Sequence, residues 1–296
     1  MLSFRCNHNR GGRPRENILF PKNASIIAGL VTLSLLGACG NSEDTASEET
    51  TTAWDEIQEK GSLTVATSGT LFPTSYREEG SDELTGFEVE VAREIGERLE
   101  LEVEFTELGF DEMLTSVQTG QVDIAANDIE ITEDRQDNFL FSTPFKYSYG
   151  TAIVRSDDLS GIETLEDLKG KKAAGASTSV YMETAREYGA EEVVYDNATN
   201  ETYLRDVAIG RTDVILNDYY LQTLAIAAFP ELDITIHPNL KYSPSEVGVV
   251  MNEDNTELAE NVDRVIEEML EDGTIAEISA EFFNGADVTE KVEIEE

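Results

Sequence analysis

Two segments of this chain, 90 residues apart, follow one pattern. Gly120-Gln-Val-Asp123-Ile-Ala-Ala-Asn127-Asp128 and Gly210-Arg-Thr-Asp213-Val-Ile-Leu-Asn217-Asp218 both read Gly-x-x-Asp, three apolar residues, then Asn-Asp. Each follows a helical segment, residues 111–119 and 202–209. A helix, a glycine turn and a strand used twice point to two bodies built on one plan. In an open parallel sheet, ligands sit beyond the carboxyl ends of the strands. Two facing bodies would therefore set Asn127-Asp128 and Asn217-Asp218 on opposite walls of one cleft. The alternative is a chance recurrence of a common turn.

The remaining periodicity fits that plan, and 296 residues suffice for two domains of ordinary size. Residues 62–67 read as a strand. Phe87, Val91, Ile95 and Leu99 recur every four residues, which predicts an amphipathic helix over 86–99. Residues 101–105 alternate apolar and acidic side chains, as a half-buried strand does. A helix over 110–119 carries Met113, Leu114 and Val117, and 122–126 is a short apolar strand. Alternating strands and helices predict an α/β fold with mostly parallel sheets. The second body repeats the alternation, with strands at 172–176, 193–195 and 234–236 and helices at 179–188 and 221–228. A strand at 247–251 returns the chain to the first body, and helices over 255–270 and 274–283 close it. The expected lobes are 54–147 with 246–296, and 148–245. Two crossings predict hinge strands near 146–149 and 241–246.

The first 39 residues read as an address. Arg5, Arg10, Arg13, Arg15 and Lys22 precede an apolar, small-residue stretch over 24–36, shorter than the ~20 residues of a membrane-spanning helix. It ends in Leu35-Leu36-Gly37-Ala38-Cys39, which resembles a bacterial lipobox. A lipoprotein signal over 1–38, lipidation of Cys39 and a tether over 39–53 are expected, with the protein at the cell membrane on its extracellular face. An uncut signal anchor is the alternative. Cys6 and Cys39 are the two cysteines, so the mature chain would carry neither a free thiol nor a disulfide. Removing 1–38 takes away five basic residues and one acidic one. That leaves 16 basic against 60 acidic residues, a net charge of −44. Such a charge opposes nucleic-acid binding, which needs Lys and Arg to displace phosphate counterions. It predicts an acidic, solvated shell whose self-repulsion salt screens.

Several chemistries are missing their residues. Gly170-Lys171-Lys172 lacks the hydroxyl and spacing of a phosphate loop. No Cys pair or HExxH could hold zinc, so no metal or cofactor is expected. His8 and His237 are the only histidines, and His237 lies beside Pro238 in a loop, a poor start for a catalytic triad. No enzyme activity is expected. Ligand capture is better served. Arg135, just past the first Asn-Asp strand end, suits bidentate capture of a carboxylate, or a local ion pair with Glu133 or Asp134. Asp218, at the facing strand end, is the candidate for an ammonium group. The Ser177-Thr178-Ser179 turn precedes a helix, whose N–H groups favour an anion, although it also reads as a plain N-cap.

Gly86-Phe87-Glu88-Val89-Glu90, Ile131-Thr-Glu-Asp-Arg135 with Phe141-Ser-Thr-Pro-Phe145, and Gly210 to Asp218 resemble the signatures of family 3 extracellular solute-binding proteins. The resemblance spans most of 55–285. It implies a two-lobed, periplasmic-binding-protein-like type II fold joined by two hinge strands, closing on a polar amino acid for an ABC permease and its ATPase. Carried over by position, Arg135 grips the α-carboxylate, Asp218 the α-ammonium, and Phe110 stacks on the ligand. Thr178 and Ser179 offer N–H groups. Leu71 or Phe72 stands where the family has an aromatic before Pro-Pro-Phe. Glu130 replaces a frequent threonine five residues before the arginine, and the usual Gly-Thr turn is Ser177-Thr178-Ser179. Residues 84–96, with Lys146-Tyr-Ser-Tyr-Gly150 and Asn217-Asp218-Tyr219-Tyr220, look most like the cystine-binding branch. L-cystine has two zwitterionic ends, so extra polar groups such as Asn127, Glu130, Tyr219 and Tyr220 would find work, and Asp128 joins the candidate set. A monomer is expected. A sensory binding protein of the same fold, or another polar amino acid as ligand, is the alternative.

Overall fold

The computed structural model describes residues 51–78, 80–195 and 197–294. The expected signal over 1–38 and the expected lipidation site, Cys39, lie outside the described residues, as does most of the expected tether. Thr52 opens the first helix, Ala53–Lys60. Its hydroxyl accepts from Asp55 N and its own N–H donates to the Asp55 carboxylate, a reciprocal cap. Trp54 and Ile57 of this helix are buried in the first lobe.

The first lobe is built on a five-stranded sheet in the order 102–107, 62–67, 124–125, 250–252, 139–141. Period-two alternation sorts its side chains to two faces. Leu63, Val65, Ile124 and Met251 join the core formed with helices Phe87–Leu99, Thr256–Glu271 and Thr274–Phe282. Ala66, Ala125 and Val250 point the other way, onto Met113 and Val117 of helix Phe110–Gln118. Phe87, Val91 and Ile95 are fully buried, so the four-residue spacing marks the core face of their helix.

The second lobe centres on the long strand Lys146–Arg155, with Ile215–Asp218, Ile234–Ile236 and Tyr242–Val247 laid antiparallel against it. Lys172–Gly175 pairs in parallel with Glu191–Val194. Here too neighbours alternate. Ala152, Val154 and Leu216 face Met182 and Ala185 of helix Val180–Glu187. Ile153 and Ile215 face Leu204, Val207 and Ala225 of helices Asn200–Ala208 and Tyr219–Ala228. The two predicted crossings are partners in one ladder, from Lys146 against Val247 to Gly150 against Tyr242.

The expectation of mostly parallel sheets is corrected. Parallel pairing holds for 62–67 with 102–107 and 124–125, and for 172–175 with 191–194. The other ladders are antiparallel. For the hinge ladder the physical reason is the double crossing: a strand leaving one lobe and a strand returning to it run in opposite directions. The hinge strand expected near 241–246 is Tyr242–Val247, and the returning strand expected at 247–251 is the shorter Val250–Asn252 of the first sheet. Residues 70–85, given no structure from sequence, form a small antiparallel sheet of Thr70–Leu71, Ser75–Arg77 and Leu84–Thr85.

The sequence echo is a structural one. In the first copy Gly120 N donates to Val117 O, Gln121 N to Ser116 O, and Asp123 N to Thr64 O. In the second, Gly210 N donates to Val207 O, Arg211 N to Asp206 O, and Asp213 N to Lys172 O. Gly120 and Gly210 both adopt positive φ, 69° and 72°. Each aspartate closes the unit by accepting from the neighbouring strand, Asp123 from Thr64 N at 2.7 Å and Asp213 from Lys172 N at 3.0 Å.

Gly86 fixes the loop that leads to the cleft. Its φ is 132°, and a Cβ there would lie 2.4 Å from Thr74 O. The next two N–H groups donate to Pro73 O and Thr74 O, tying 71–74 to the head of helix Phe87–Leu99. Gly86→Ala is expected to cost at least about 1–3 kcal/mol of folding stability. Urea unfolding measures it, and a midpoint equal to wild type would refute the strain.

Candidate functional site

The two Asn-Asp strand ends do meet. Asn127, Asp128 and Asn217 line one cavity, of about 750 Å³ including open solvent, between the lobes. Its size suits a small molecule. Ser68, Thr70, Leu71, Phe110 and Glu130 complete the first-lobe wall. Gly175, Ser179, Tyr181, Tyr195 and Tyr203 face them from the second lobe. Among the described residues, Asp128 and Glu130 are the charged groups of the lining. No cluster of metal-ligating side chains occurs among the described residues.

The lobes touch across the cleft through Asp111, at the head of helix Phe110–Gln118. Its carboxylate accepts from Ser177 N at 3.2 Å, Ser177 Oγ at 3.0 Å, Thr178 N at 2.9 Å and Thr178 Oγ1 at 2.7 Å. Partial burial works to raise its pKa, but the bonds from Thr178 and Ser177 outweigh that and hold it below the usual 3.8. Thus Thr178, expected to offer its N–H to a ligand, gives it to Asp111. Ser179 lines the cavity and caps helix Val180–Glu187, its hydroxyl accepting from Met182 N at 3.1 Å. Hydrogen bonds to a charged group contribute about 1.5–3 kcal/mol each. Asp111→Ala is therefore expected to favour a more open molecule, with a larger radius of gyration in solution scattering. An unchanged profile would mean that other contacts hold the lobes.

Arg135 is buried beside the cavity rather than in its lining. Thr132 caps its short helix, Glu133–Gln136, by accepting from Arg135 N at 3.2 Å. Nη1 donates to Glu130 O at 2.8 Å and to the Glu130 carboxylate at 3.1 Å. Nη2 donates across the cleft to Thr178 O at 3.2 Å, and the guanidinium lies 6.0 Å from the Phe110 ring centre. Of the five guanidinium N–H groups, these bonds use three, and Nε–H with one Nη2 hydrogen has no partner among the described residues. The expected ion pair with Glu133 or Asp134 is replaced by one with Glu130. Leu71 lines the cavity, whereas Phe72 packs edge-on against Tyr76 at 4.9 Å and accepts from Asn200 through its carbonyl.

Asp218, expected to meet an ammonium group of the ligand, meets one from the protein. It is wholly buried and outside the cavity lining. Its Oδ2 lies 2.9 Å from Lys146 Nζ, and Oδ1 caps helix Tyr219–Ala228 by accepting from Leu221 N at 2.9 Å. Lys146 Nζ also bonds Asp128, so one buried ammonium joins the aspartates of the two repeats. Burial alone would lower the Lys146 pKa; Asp128 and Asp218 reverse this and raise it. Burial lifts Asp128 to about 7, with help from Asp218 and Glu130 and against the pull of Lys146. Behind them lies Glu88, fully buried, one oxygen accepting from Asp128 N at 2.8 Å and the other without a partner among the described residues. Burial, then Asp128, lifts Glu88 from 4.5 to about 8. At neutral pH Glu88 is therefore mostly protonated.

Lys146 and Glu88 had no assigned role in the cleft from sequence. Lys146 left a signal, a charge at the head of an otherwise largely uncharged strand, whereas Glu88 is one of several charges in an amphipathic helix and left none. Tyr181 was missed for lack of any signal; it lines the cavity, and its hydroxyl is buried with no partner among the described residues.

Raised folded values mean that Glu88 and Asp128 hold protons more tightly in the native state than in the unfolded chain. Their contribution to stability is complete below their ordinary values, 4.5 and 3.8, and is lost as the pH rises through about 8 and about 7. Glu88→Gln removes the first titration. The variant is expected to gain stability relative to wild type between about pH 5 and pH 8, read by urea unfolding across that range. A constant difference would contradict a raised Glu88.

Comparison with known proteins agrees with this architecture. Residues 63–285 match the bacterial extracellular solute-binding proteins, family 3. The probable ABC transporter extracellular-binding protein YckB of Bacillus subtilis is 60% identical over 261 residues, 88% of this chain and 90% of the relative. Its crystal structure superposes with a TM-score of 0.66, covering 82% of this chain and 98% of the crystallised chain, at 63% identity. The L-cystine-binding protein TcyA of Bacillus subtilis is 31% identical over 268 residues, 88% of this chain and 96% of the relative. The chain belongs to the family 3 bacterial extracellular solute-binding proteins.

Proposed function

We propose that this protein is the extracellular substrate-binding component of an amino-acid ABC importer, and that it binds L-cystine by closure of its two lobes. The observation that carries the reading is the cavity walled by both repeats, Asn127-Asp128 on one side and Asn217 on the other, and bridged by Asp111 and Arg135. The name of TcyA supports cystine. In this reading the two spare N–H groups of Arg135 take the ligand carboxylate. Asp128 and Glu130 attract its ammonium, Phe110 and Leu71 pack on its body, and Ser179 meets it from the second lobe. Asp218 acts through Lys146, which it holds against Asp128. The lobes are assigned to 54–147 with 246–296, and to 148–245. Lipidation of Cys39 would keep a monomer at the outer membrane surface beside its permease and ATPase.

Isothermal titration of the purified mature protein, without reductant, with L-cystine, arginine, glutamine and glutamate tests the ligand. Micromolar or tighter binding of cystine is expected. Clear binding of another amino acid in its place would keep the transport reading and discard cystine. Silence with all four would overturn amino-acid binding. Loss of labelled cystine uptake on deletion of the gene tests the transport role; uptake at the wild-type rate would contradict it.

A further inference from the structure

A second, smaller hollow adjoins the cavity and shares Leu71, Tyr203, Ile215 and Asn217 with it. Its far wall is helix Tyr219–Ala228, through Leu221, Gln222 and Ala225. The floor is apolar, so the polar groups that remain decide what it accepts.

Two of those groups are committed. Tyr203 donates its hydroxyl to Asn200 Oδ1 at 2.6 Å, and Asn200 Nδ2 donates to Phe72 O at 3.2 Å. Gln222 differs. It is 2% exposed, and its Nε2 donates to Ile215 O at 3.1 Å. A carbonyl can only accept, so this bond fixes the amide orientation and identifies Oε1 as the other end. Gln222 Oε1 is buried and has no partner among the described residues. An unsatisfied buried acceptor is unfavourable, and a donor brought to it recovers that loss. Asn217 Oδ1 accepts from Asp218 N at 2.8 Å, so the group it has left is a donor, Nδ2.

We propose that this hollow is the subsite for the far end of a two-ended ligand, and that Gln222 Oε1 accepts a hydrogen bond from the far amine. The inference rests on the reading of the cavity as a cystine site. Leu71 and Ile215, common to both hollows, flank the path of an apolar spacer, and the disulfide-linked methylenes of cystine are such a spacer.

The test pairs two probes on the purified mature protein. L-cystine is compared with the mixed disulfide of cysteine and 3-mercaptopropionate, which keeps the near end and the spacer but has no far amine. Wild type is expected to bind cystine about tenfold more tightly than the analogue, and Gln222→Met to bind the two alike. Equal binding of the two probes by wild type, or a tenfold preference retained by Gln222→Met, overturns the subsite and leaves the cystine reading intact. Wild-type binding of neither probe overturns both. A crystal structure of the wild-type protein with cystine serves if the variant does not fold. The far nitrogen is expected within hydrogen-bonding distance of Gln222 Oε1, and its placement elsewhere overturns the proposal.

Discussion

Replacing Lys146 with methionine is expected to lower folding stability by about 3–5 kcal/mol at neutral pH, the largest loss among the substitutions considered. The methylene stem is retained, so packing changes little. What is lost is the one ammonium between Asp128 and Asp218, both buried. Any charge left on this pair would then be buried without a cation, and Asp128, released from the pull of Lys146, must bind a proton to stay neutral. The loss is expected to shrink as the pH falls, because burial already lifts Asp128 to about 7 and protonation relieves the repulsion. Urea unfolding of both proteins at several pH values measures this. A cost below about 1 kcal/mol at neutral pH would show that the aspartates do not depend on Lys146.

The second large effect is on binding. Arg135→Ala is expected to weaken cystine binding by two orders of magnitude or more, the usual result of truncating one side of a buried charge pair. The substitution also strips Glu130 of its partner, so some of the loss would come from a destabilised wall. Arg135→Lys separates the two. A lysine keeps a cation for Glu130 but lacks the planar fork that holds a carboxylate with two parallel bonds. Stability near wild type with affinity still lowered at least tenfold is expected. Titration calorimetry and thermal melting give both numbers. Affinity of Arg135→Ala within threefold of wild type would remove this residue from the carboxylate site.

The parts of the fold that were legible in the sequence are those set by local rules. Phe87, Val91 and Ile95 announce a buried helix face by spacing alone, and the Gly-x-x-Asp repeat announces a turn whose hydrogen bonds recur in both lobes. Strand direction was not legible, because Lys146–Arg155 has partners at 215–218, 234–236 and 242–247, and nothing local records such pairings. The site divides similarly. Asn127, Asp128 and Asn217 lie on the cavity wall as the repeat implied. Asp218 has the same place in its own repeat, yet it is turned to Lys146, a residue 72 positions away. Thr178 was expected to offer its N–H to a ligand because its turn precedes a helix and stands where the resembled family places such groups. The competitor, Asp111, lies 67 residues earlier and belongs to the other lobe.

The placement of the aromatic residues has a consequence for optical work on this protein. Its single tryptophan, Trp54, is buried in the first-lobe core, whereas Tyr181, Tyr195 and Tyr203 line the cavity. Emission excited at the red edge, where indole alone absorbs, should follow melting of the first lobe and stay nearly silent to ligand. Phenolic absorbance should respond to occupancy. One sample thus carries two separate chromophoric reporters, one for unfolding and one for the cleft, without a label.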